Sequence, residues 1–504
     1  MYTELHKNGY LKKSSSGFVL AAIIFLLVLR ISFISVMGLM PQDAYYYFYS
    51  EHPDLSYFDH PPAIAWLLKG FTMIFGTHVF AIKLAATIAT GFSMLAFYDL
   101  AGSFLDRPQA RLALILLFST FMITVLSLVA TPDVMLIFFW TVSLVLLQQA
   151  IFKKRKWYWI WSGIAMGLAF DSKYTAIFLP LGVFLFLVFS NAHRKWLASP
   201  WPYLSLVIVL LIASPVIIWN MENDFASFRF QSSTRITEIK TILIHPGYFF
   251  GTFALQAVLL MPILLFAILR AAWKSFRMYQ WKIRRIPAEK LFLLCFFLPV
   301  FVGFLLIGFF YWVKLNWIMP AYISGIILAS MDFNKKWIKP QLIFSIVLHA
   351  VLAVQVLFYP IIIRSDDTWV GWNKLEKETE QLSRKYPGYF IFSADDYKTS
   401  AVLNFYFSNM IYGKEIIRQK ALEFDYVGTN IHRLAGRNAL FIDSDPRMKA
   451  DYKPVNMPEL EQYFAEVKPV DTIRVEKNGR LVRLFYVWAC RDYRPDAVKV
   501  LGKN

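Results

Sequence analysis

The chain has 504 residues, of which 57% are hydrophobic and 18% aromatic, and its formal net charge is +18. That hydrophobic content is far above a soluble domain's, and the apolar residues come in runs of membrane-spanning length. The positive charge gathers in short loops between these runs, which argues against a nucleic-acid partner. Cys295 lies inside an apolar run and Cys490 near the C-terminus, so the two are not expected to meet and no disulfide framework is expected.

Eleven apolar runs are predicted to cross a membrane as helices, which makes the chain an α-helical polytopic membrane protein. Their approximate ranges are 17–37, 78–102, 109–130, 133–152, 157–171, 174–191, 202–219, 248–272, 291–311, 315–331 and 341–363. The segments 157–191 and 291–331 permit other divisions, so 11 to 13 spans are expected. The first run follows Lys7, Lys12 and Lys13, but its length favours a retained helix over a cleaved signal peptide.

Basic loops predict the orientation of the chain. Lysine and arginine cluster in the short loops at 153–156, 194–195, 282–285 and 335–336. The alternate loops are poor in basic residues and lie at 38–77, 131–132, 171–173, 220–247 and 312–314. With a cytoplasmic N-terminus, every strongly basic loop is cytoplasmic and the alternate loops are periplasmic.

The chain changes character at residue 364, where charges of both signs become frequent. Strands are expected near 388–392 and 438–442, and a helix over 399–407. We therefore predict a transmembrane domain over 1–363, with its first periplasmic loop at 38–77, and a soluble α/β domain over 364–504. An odd number of spans places this tail domain in the periplasm.

Polar side chains collect at the predicted outer ends of the spans. They are Asp43, Asp133, Lys173, Arg229, Arg235, Lys314 and Asn316. A carboxylate there would accept a proton from an incoming nucleophile, and the cations would neutralise a leaving phosphate. The combination suits an anionic, lipid-linked substrate.

The first outer loop holds the densest polar cluster, in the segments 42–47 and 57–62. Acids, a histidine and several tyrosines are costly at a membrane edge unless a polar substrate is held there. Tyr45 and Tyr46 would alternatively form an interfacial aromatic belt. Asp59 and His60 would alternatively form a polar turn, and as two adjacent residues they are weak evidence for a metal site.

Other candidates also have ordinary structural interpretations. Asp133 would cap the fourth span, because Thr-Pro-Asp is a common helix start. Lys173 and Lys314 would anchor helix ends by extending toward the interface. Asp43 is hardest to explain in this way, because a bare carboxylate beside three tyrosines is a poor belt element.

Six ordered motifs resemble bacterial members of the protein O-mannosyltransferase-like superfamily, the GT-C glycosyltransferases, which include lipid A transferases for aminoarabinose and galacturonic acid. The motifs lie at 42–46, 55–62, 130–133, 172–175, 219–231 and 316–322. The resemblance covers the membrane part to about Ile363 and is weaker beyond it, although the segment 394–397 is similar to the tail domains of such proteins.

The resemblance implies a GT-C fold and an inner-membrane enzyme that takes a sugar from a polyprenyl-phosphate donor in the periplasm. The catalytic acids would be Asp43, Asp133 and Asp59; the donor phosphate would bind Lys173, Arg229 and Lys314; and Tyr45, Tyr46, His60 and Asn316 would contact substrate. Many relatives have two acids before Ala-Tyr-Tyr, whereas the first position here is Gln42, so Asp59 is an alternative to Asp43 as base. No cofactor is expected, and the use of a divalent metal is left open.

We expect inverting transfer of the sugar to a lipid or glycan acceptor of the cell envelope, with lipid A favoured. A protein O-glycosyltransferase of the same fold is the alternative acceptor class. A lipid-linked sugar flippase would place charges deep within spans, where only Arg30 and Lys83 are obvious. A non-catalytic scaffold would leave the loop acids unexplained.

Overall fold

The computed structural model describes residues 13–34, 36–234, 244–428, 430–448 and 457–496. Arg235, Lys7 and Lys12 lie outside the described residues. The helices of the membrane part are α1 Lys13–Ile34, α2 Pro41–Glu51, α3 Ala63–Phe75, α4 Val79–Phe104, α5 Arg107–Phe118, α6 Phe121–Leu128, α7 Pro132–Ile151, α8 Tyr158–Phe170, α9 Phe178–Phe189, α10 Pro200–Ile212, α11 Ser214–Glu222, α12 Ala226–Arg229, α13 Pro246–Leu260, α14 Pro262–Met278, α15 Ala288–Ile307, α16 Met319–Ser330 and α17 Ile338–Phe358.

Every one of the eleven predicted spans coincides with a helix or with two consecutive helices. Among the described residues, five helices are long and apolar enough to cross a membrane, or eight if each bent pair is one span. Four shorter apolar helices add to these, including α8 and α16. The helical membrane class is therefore confirmed, and the number of eleven crossings stays a prediction.

Three runs predicted as single spans are broken. The bends are 61° between α5 and α6, 46° between α10 and α11, and 107° between α13 and α14. Pro215 and Pro262 stand in the first turn after two of the breaks, where a proline cannot continue the preceding hydrogen-bond ladder. At the third break, the hydroxyls of Ser119 and Thr120 bond to carbonyls of the preceding turn.

The first predicted outer loop is also more ordered than expected, because it contains α2 and α3. Pro41 stands at the first position of α2, and the Asp43 carboxylate accepts the backbone N–H of Met40 at 3.0 Å. Both features favour a helix start. The tyrosines at 45–47 and 49 are therefore held on a helix, with Tyr45 and Tyr49 buried.

The tail has a four-stranded mixed sheet. Its elements are α18 Trp372–Lys385, β1 Phe390–Phe392, α19 Lys398–Tyr406, β2 Ala439–Asp445, α20 Met457–Tyr463, β3 Phe464–Lys477 and β4 Arg480–Tyr493. The strand order is β1-β2-β4-β3, with β1 parallel to β2 and the other pairs antiparallel. The two predicted strands and the predicted helix are confirmed. The β3–β4 hairpin turns at Asn478-Gly479, both with positive φ, as an Asn-Gly hairpin turn requires.

The tail packs directly on α2 of the first loop. Tyr397 lies against Tyr45 with ring centroids 4.2 Å apart, and Phe424 stacks on Phe48 at 4.5 Å. Aromatic pairs of this kind contribute stability beyond the area they bury. Helix α2 is thus enclosed between the membrane helices and the tail, which fixes the position of its tyrosines.

Candidate active site

One large cavity, of about 1150 Å³, receives residues from all five loops that the charge pattern predicts to be periplasmic. Its polar lining includes Gln42, Tyr45, Tyr46, Asp59, His60, Thr131, Asp133, Lys173, Tyr174, Gln231, Lys314, Asn316, Asp367, Asp396, Tyr397 and Lys398. The five loops therefore share one face of the protein, as predicted. Which side of the membrane this face meets stays a prediction.

A buried ion pair marks the polar floor of the cavity. Lys173 donates to Asp133 at 2.8 Å, and the Asn316 amide donates to the other carboxylate oxygen at 2.5 Å. Asp133 follows Pro132 in the first turn of α7, and the N-cap position is held by Thr131, so the interpretation of Asp133 as the cap residue is wrong. Lys173 reaches a carboxylate and not the bilayer surface, so it is not a snorkelling anchor. Three predicted site residues thus form one hydrogen-bonded group.

A second acid, Asp59, lies on the wall formed by the first loop. The hydroxyls of Tyr45 and Tyr49 donate to its carboxylate, the first at 3.3 Å. Gln231 donates to its backbone carbonyl at 2.7 Å. Burial, together with the nearby Asp59 charge, raises the pKa of Tyr46 well above its usual value, so this hydroxyl stays protonated. His60 also lines the cavity, with its ring centroid 6.0 Å from that of Tyr46.

Asp43 is placed differently from the expectation, because it lies outside the cavity lining. Its side chain is fully buried and accepts a hydrogen bond from Lys83, which is also fully buried. Its other oxygen accepts the backbone N–H of Ala130 at 2.8 Å, and Lys83 donates to the Leu128 carbonyl at 2.8 Å. The pair therefore fixes the segment 128–130, directly before Asp133. This geometry fits a positioning role; direct catalysis by Asp43 stays a prediction.

Two further candidate cations differ in placement. Lys314 lines the cavity from the segment before α16. Arg229 is exposed at the end of α12 and does not line the cavity, whereas the next residues, Phe230 and Gln231, do. The structure therefore groups Lys314, but not Arg229, with the Asp133–Lys173 pair.

The tail contributes a wall that the sequence did not reveal. Asp367, Asp396, Tyr397 and Lys398 line the cavity, and Gln42 donates to the Asp367 carboxylate at 2.6 Å. The only advance signal was the similarity of 394–397 to the tails of related proteins. At position 42, where many relatives have an acid, this chain thus has a glutamine amide that bonds to the carboxylate of Asp367 in the tail.

Glu423 holds the tail against the first loop. Its carboxylate accepts the backbone N–H of Phe58 at 2.7 Å, and its own N–H donates to the Tyr45 hydroxyl at 3.3 Å. Burial raises the pKa of Glu423 well above its usual value, and nearby acids, chiefly Asp59, add to the shift. The contact joins the tail to the same tyrosine that bonds Asp59.

The lining of the same cavity also has an apolar part. It is formed by side chains that include Ile177, Phe178, Leu255, Phe304, Ile307 and Trp312. Ile307 and Trp312 are 42% and 46% exposed, so this part of the lining is open to the surface of the protein. A polar floor beside an apolar edge fits an amphiphile with a charged head. Within the described ranges, no group of three or more His, Cys, Asp or Glu side chains is arranged to hold a metal ion.

Comparisons with known proteins agree with this geometry. Residues 59–219 match the family model described as dolichyl-phosphate-mannose-protein mannosyltransferase. The chain is 26% identical to the lipid A galacturonosyltransferase RgtD of Rhizobium johnstonii, over 59% of this chain and 61% of that protein. It is 29% identical to the undecaprenyl phosphate-alpha-4-amino-4-deoxy-L-arabinose arabinosyl transferase of Pseudomonas aeruginosa, over 44% of this chain and 42% of that protein. The chain thus spans less than two thirds of the length of these relatives.

A solved structure extends the likeness to nearly the whole chain. The crystal structure of ArnT from Cupriavidus metallidurans bound to undecaprenyl phosphate aligns with a TM-score of 0.62 and 14% identity, covering 94% of this chain and 98% of ArnT. The chain has the GT-C glycosyltransferase fold. It is a multi-pass membrane protein related to the aminoarabinose and galacturonosyl transferases of lipid A.

Proposed function

We propose that this GT-C chain is a glycosyltransferase of the bacterial inner membrane that uses a polyprenyl-phosphate-linked sugar. The observation that carries the proposal is the two-sided cavity. Its polar floor holds Asp133, Lys173 and Asn316, and its apolar edge includes the exposed side chains of Ile307 and Trp312. The donor would enter from the bilayer with its chain along that edge. The relatives whose names specify undecaprenyl phosphate support this donor class.

The donor phosphate would bind near Lys173 and Lys314. Lys173 is buried and already bonded to Asp133, so its position is fixed before substrate arrives. Lys314 is exposed within the same cavity and is able to follow the phosphate as it leaves. Charge-assisted hydrogen bonds from ammonium groups stabilise the negative charge that develops on the leaving phosphate. Arg229 would contribute only if its loop turned toward the cavity.

The acceptor oxygen would attack the anomeric carbon, while the bond from that carbon to the phosphate oxygen breaks. The acceptor proton passes to a carboxylate, and polyprenyl phosphate departs with the bonding electron pair. Asp133 and Asp59 are the carboxylates that line the cavity from the membrane part, and we propose Asp133 as the base because Lys173 and Asn316 orient it. Asp43 would position Asp133 through Ala130. Attack opposite the leaving phosphate gives inversion.

We favour lipid A as the acceptor and the periplasm as the site of transfer. The named activities of the two curated relatives support lipid A. The family model over 59–219 is named for transfer to protein, which supports a protein hydroxyl as the second candidate. Tail residues Tyr397 and Lys398 would contact the acceptor, because they line the cavity from the tail.

The test uses the purified full chain in vesicles with lipid A and polyprenyl-phosphate sugars. A mass increase of lipid A by one sugar, with release of polyprenyl phosphate, is expected. Cells with and without the chain are also compared. If the chain adds sugar to periplasmic proteins and leaves lipid A unmodified, the acceptor is protein. Movement of intact donor across the vesicle without any covalent product would overturn the enzyme assignment and support a flippase.

A further inference from the structure

A second, smaller groove lies at the other end of the helices from the candidate active site. The large cavity contacts Asn316 and Trp317, just before α16, whereas this groove contacts Asp332, just after it. It encloses about 350 Å³. Its lining residues are Pro262, Ile263, Phe266, Ala267, Arg270, Ala271, Lys274, Ala329, Asp332, Phe333, Asn334 and Trp337.

The groove follows one face of α14. Pro262, Phe266, Arg270 and Lys274 recur every four residues, so they share a face of the helix. A rise of about 1.5 Å per residue makes this stripe about 18 Å long, close to half of a hydrocarbon core of about 30 Å. Small side chains, Ala267 among them, leave the space open. The groove therefore has the length of one acyl chain in one leaflet.

The charges at the groove favour an anion. Asp332 accepts from Lys274 at 3.0 Å and lies 3.7 Å from Lys290, so these three groups together are net positive. Arg270 is exposed, and among the described residues no ion pair or hydrogen bond occupies its guanidinium. An exposed arginine within a predicted membrane span is costly unless it reaches a headgroup or meets an anion. Trp337 is 45% exposed, and tryptophan is enriched at the depth of the lipid headgroups.

We propose that this groove binds an anionic phospholipid, with its phosphate on Arg270 and Lys274 and one acyl chain along α14 past Phe266. The lipid comes from the leaflet beside the basic loops at 282–285 and 335–336, which the charge pattern predicts to be cytoplasmic. Basic pockets between membrane helices on that side suit anionic headgroups. This site is separate from the sugar-transfer cavity and does not depend on the proposed function.

Native mass spectrometry of the detergent-purified full chain tests the proposal. Dioleoyl phosphatidylglycerol and dioleoyl phosphatidylcholine are titrated in parallel, since they share acyl chains and differ in net charge. We expect the anionic lipid to bind about tenfold tighter or more, and Arg270→Gln to remove that preference, because a charge-assisted hydrogen bond is lost. Arg277→Gln is the matched control: Arg277 is exposed on the same helix, over the Trp273 ring, and outside the groove.

A second variant tests the acyl-chain part. Ala267→Trp would fill the groove without altering a charge, and it should expel the lipid while the thermal unfolding temperature stays near that of the parent chain. Equal binding of the two lipids, or an equal loss in Arg270→Gln and Arg277→Gln, would overturn the proposal. So would displacement of phosphatidylglycerol by millimolar inorganic phosphate, because the site would then bind free phosphate.

Discussion

The two buried lysine–aspartate pairs, Asp43–Lys83 and Asp133–Lys173, look alike in sequence and differ in space. In each pair the residues are forty positions apart, and the acid lies in the first turn of a helix. The first pair has no exposed side-chain surface and bonds to backbone, whereas the second lines the large cavity and shares its acid with Asn316. Burial alone therefore does not identify a candidate catalytic carboxylate. Contact with the cavity distinguishes Asp133 from Asp43.

The largest expected effect is the loss of transfer in Asp133→Asn. The amide cannot take a proton, so a general base would be lost, and kcat should fall about 10²- to 10⁴-fold. Sugar transfer to lipid A in vesicles is the measurement. Asp106→Asn, at an exposed helix cap away from the cavity, is the control and should retain activity. Near-normal transfer by Asp133→Asn would assign the base to Asp59 or Asp43 and remove the distinction drawn between the pairs.

The second effect is on stability. Asp43→Asn leaves the Lys83 charge buried without its partner, which should destabilise the fold by about 3 kcal/mol or more. Thermal unfolding in detergent measures it. The double variant Asp43→Asn/Lys83→Met removes both charges and should recover most of that loss. Lys69→Met is the control, because the Lys69–Glu51 pair is exposed and such pairs contribute little.

The same variants separate positioning from catalysis. If Asp43 only fixes the segment before Asp133, the double variant should regain part of the transfer activity along with its stability. If Asp43 is the base, the double variant should regain stability with no activity. The second outcome would restore the role first assigned to Asp43.

Sequence predicted much of this arrangement and missed a definable part. The helices were visible as apolar runs, and the positive-inside pattern grouped five loops on one face, because both signals are local. Which acid faces the cavity depends on contacts across the chain, such as Ala130 with Asp43 and Asn316 with Asp133. No local pattern encodes these contacts, so the sequence favoured Asp43 as the base and offered a helix cap as an alternative for Asp133. The tail wall at Asp367 and Lys398 was hidden for the same reason.

A smaller effect is expected at the tail wall. Asp367→Asn would weaken the contact of Gln42 with the tail and remove one charge from the cavity, while Asp133 and Lys173 remain in place. We expect KM for the acceptor to rise about tenfold, the scale of a lost hydrogen bond to a charged group, with kcat changed less. Asp471→Asn, on an exposed part of β3, is the control. A fall in kcat as large as that of Asp133→Asn would place Asp367 in the chemical step.

The smallest effect concerns Asp395 of the tail, a carboxylate that bonds to Ser393 and Thr399 and, among the described residues, makes no ion pair with a lysine. Burial, and then the charges of Asp443 and Asp366, raise the pKa of Asp395 in the tail to about 8. An acid whose pKa is raised on folding stabilises the fold below its unfolded pKa, near 4, and this contribution is lost as pH rises through about 8. The unfolding temperature of Asp395→Asn minus that of the parent chain should therefore be a few degrees larger at pH 8.5 than at pH 5.5. Asp471→Asn should show no such dependence on pH. If the two variants show the same dependence on pH, Asp395 is already ionised in the folded tail. Retention of its proton at neutral pH, in place of a bond to lysine, is then how this acid differs from both Asp43 and Asp133.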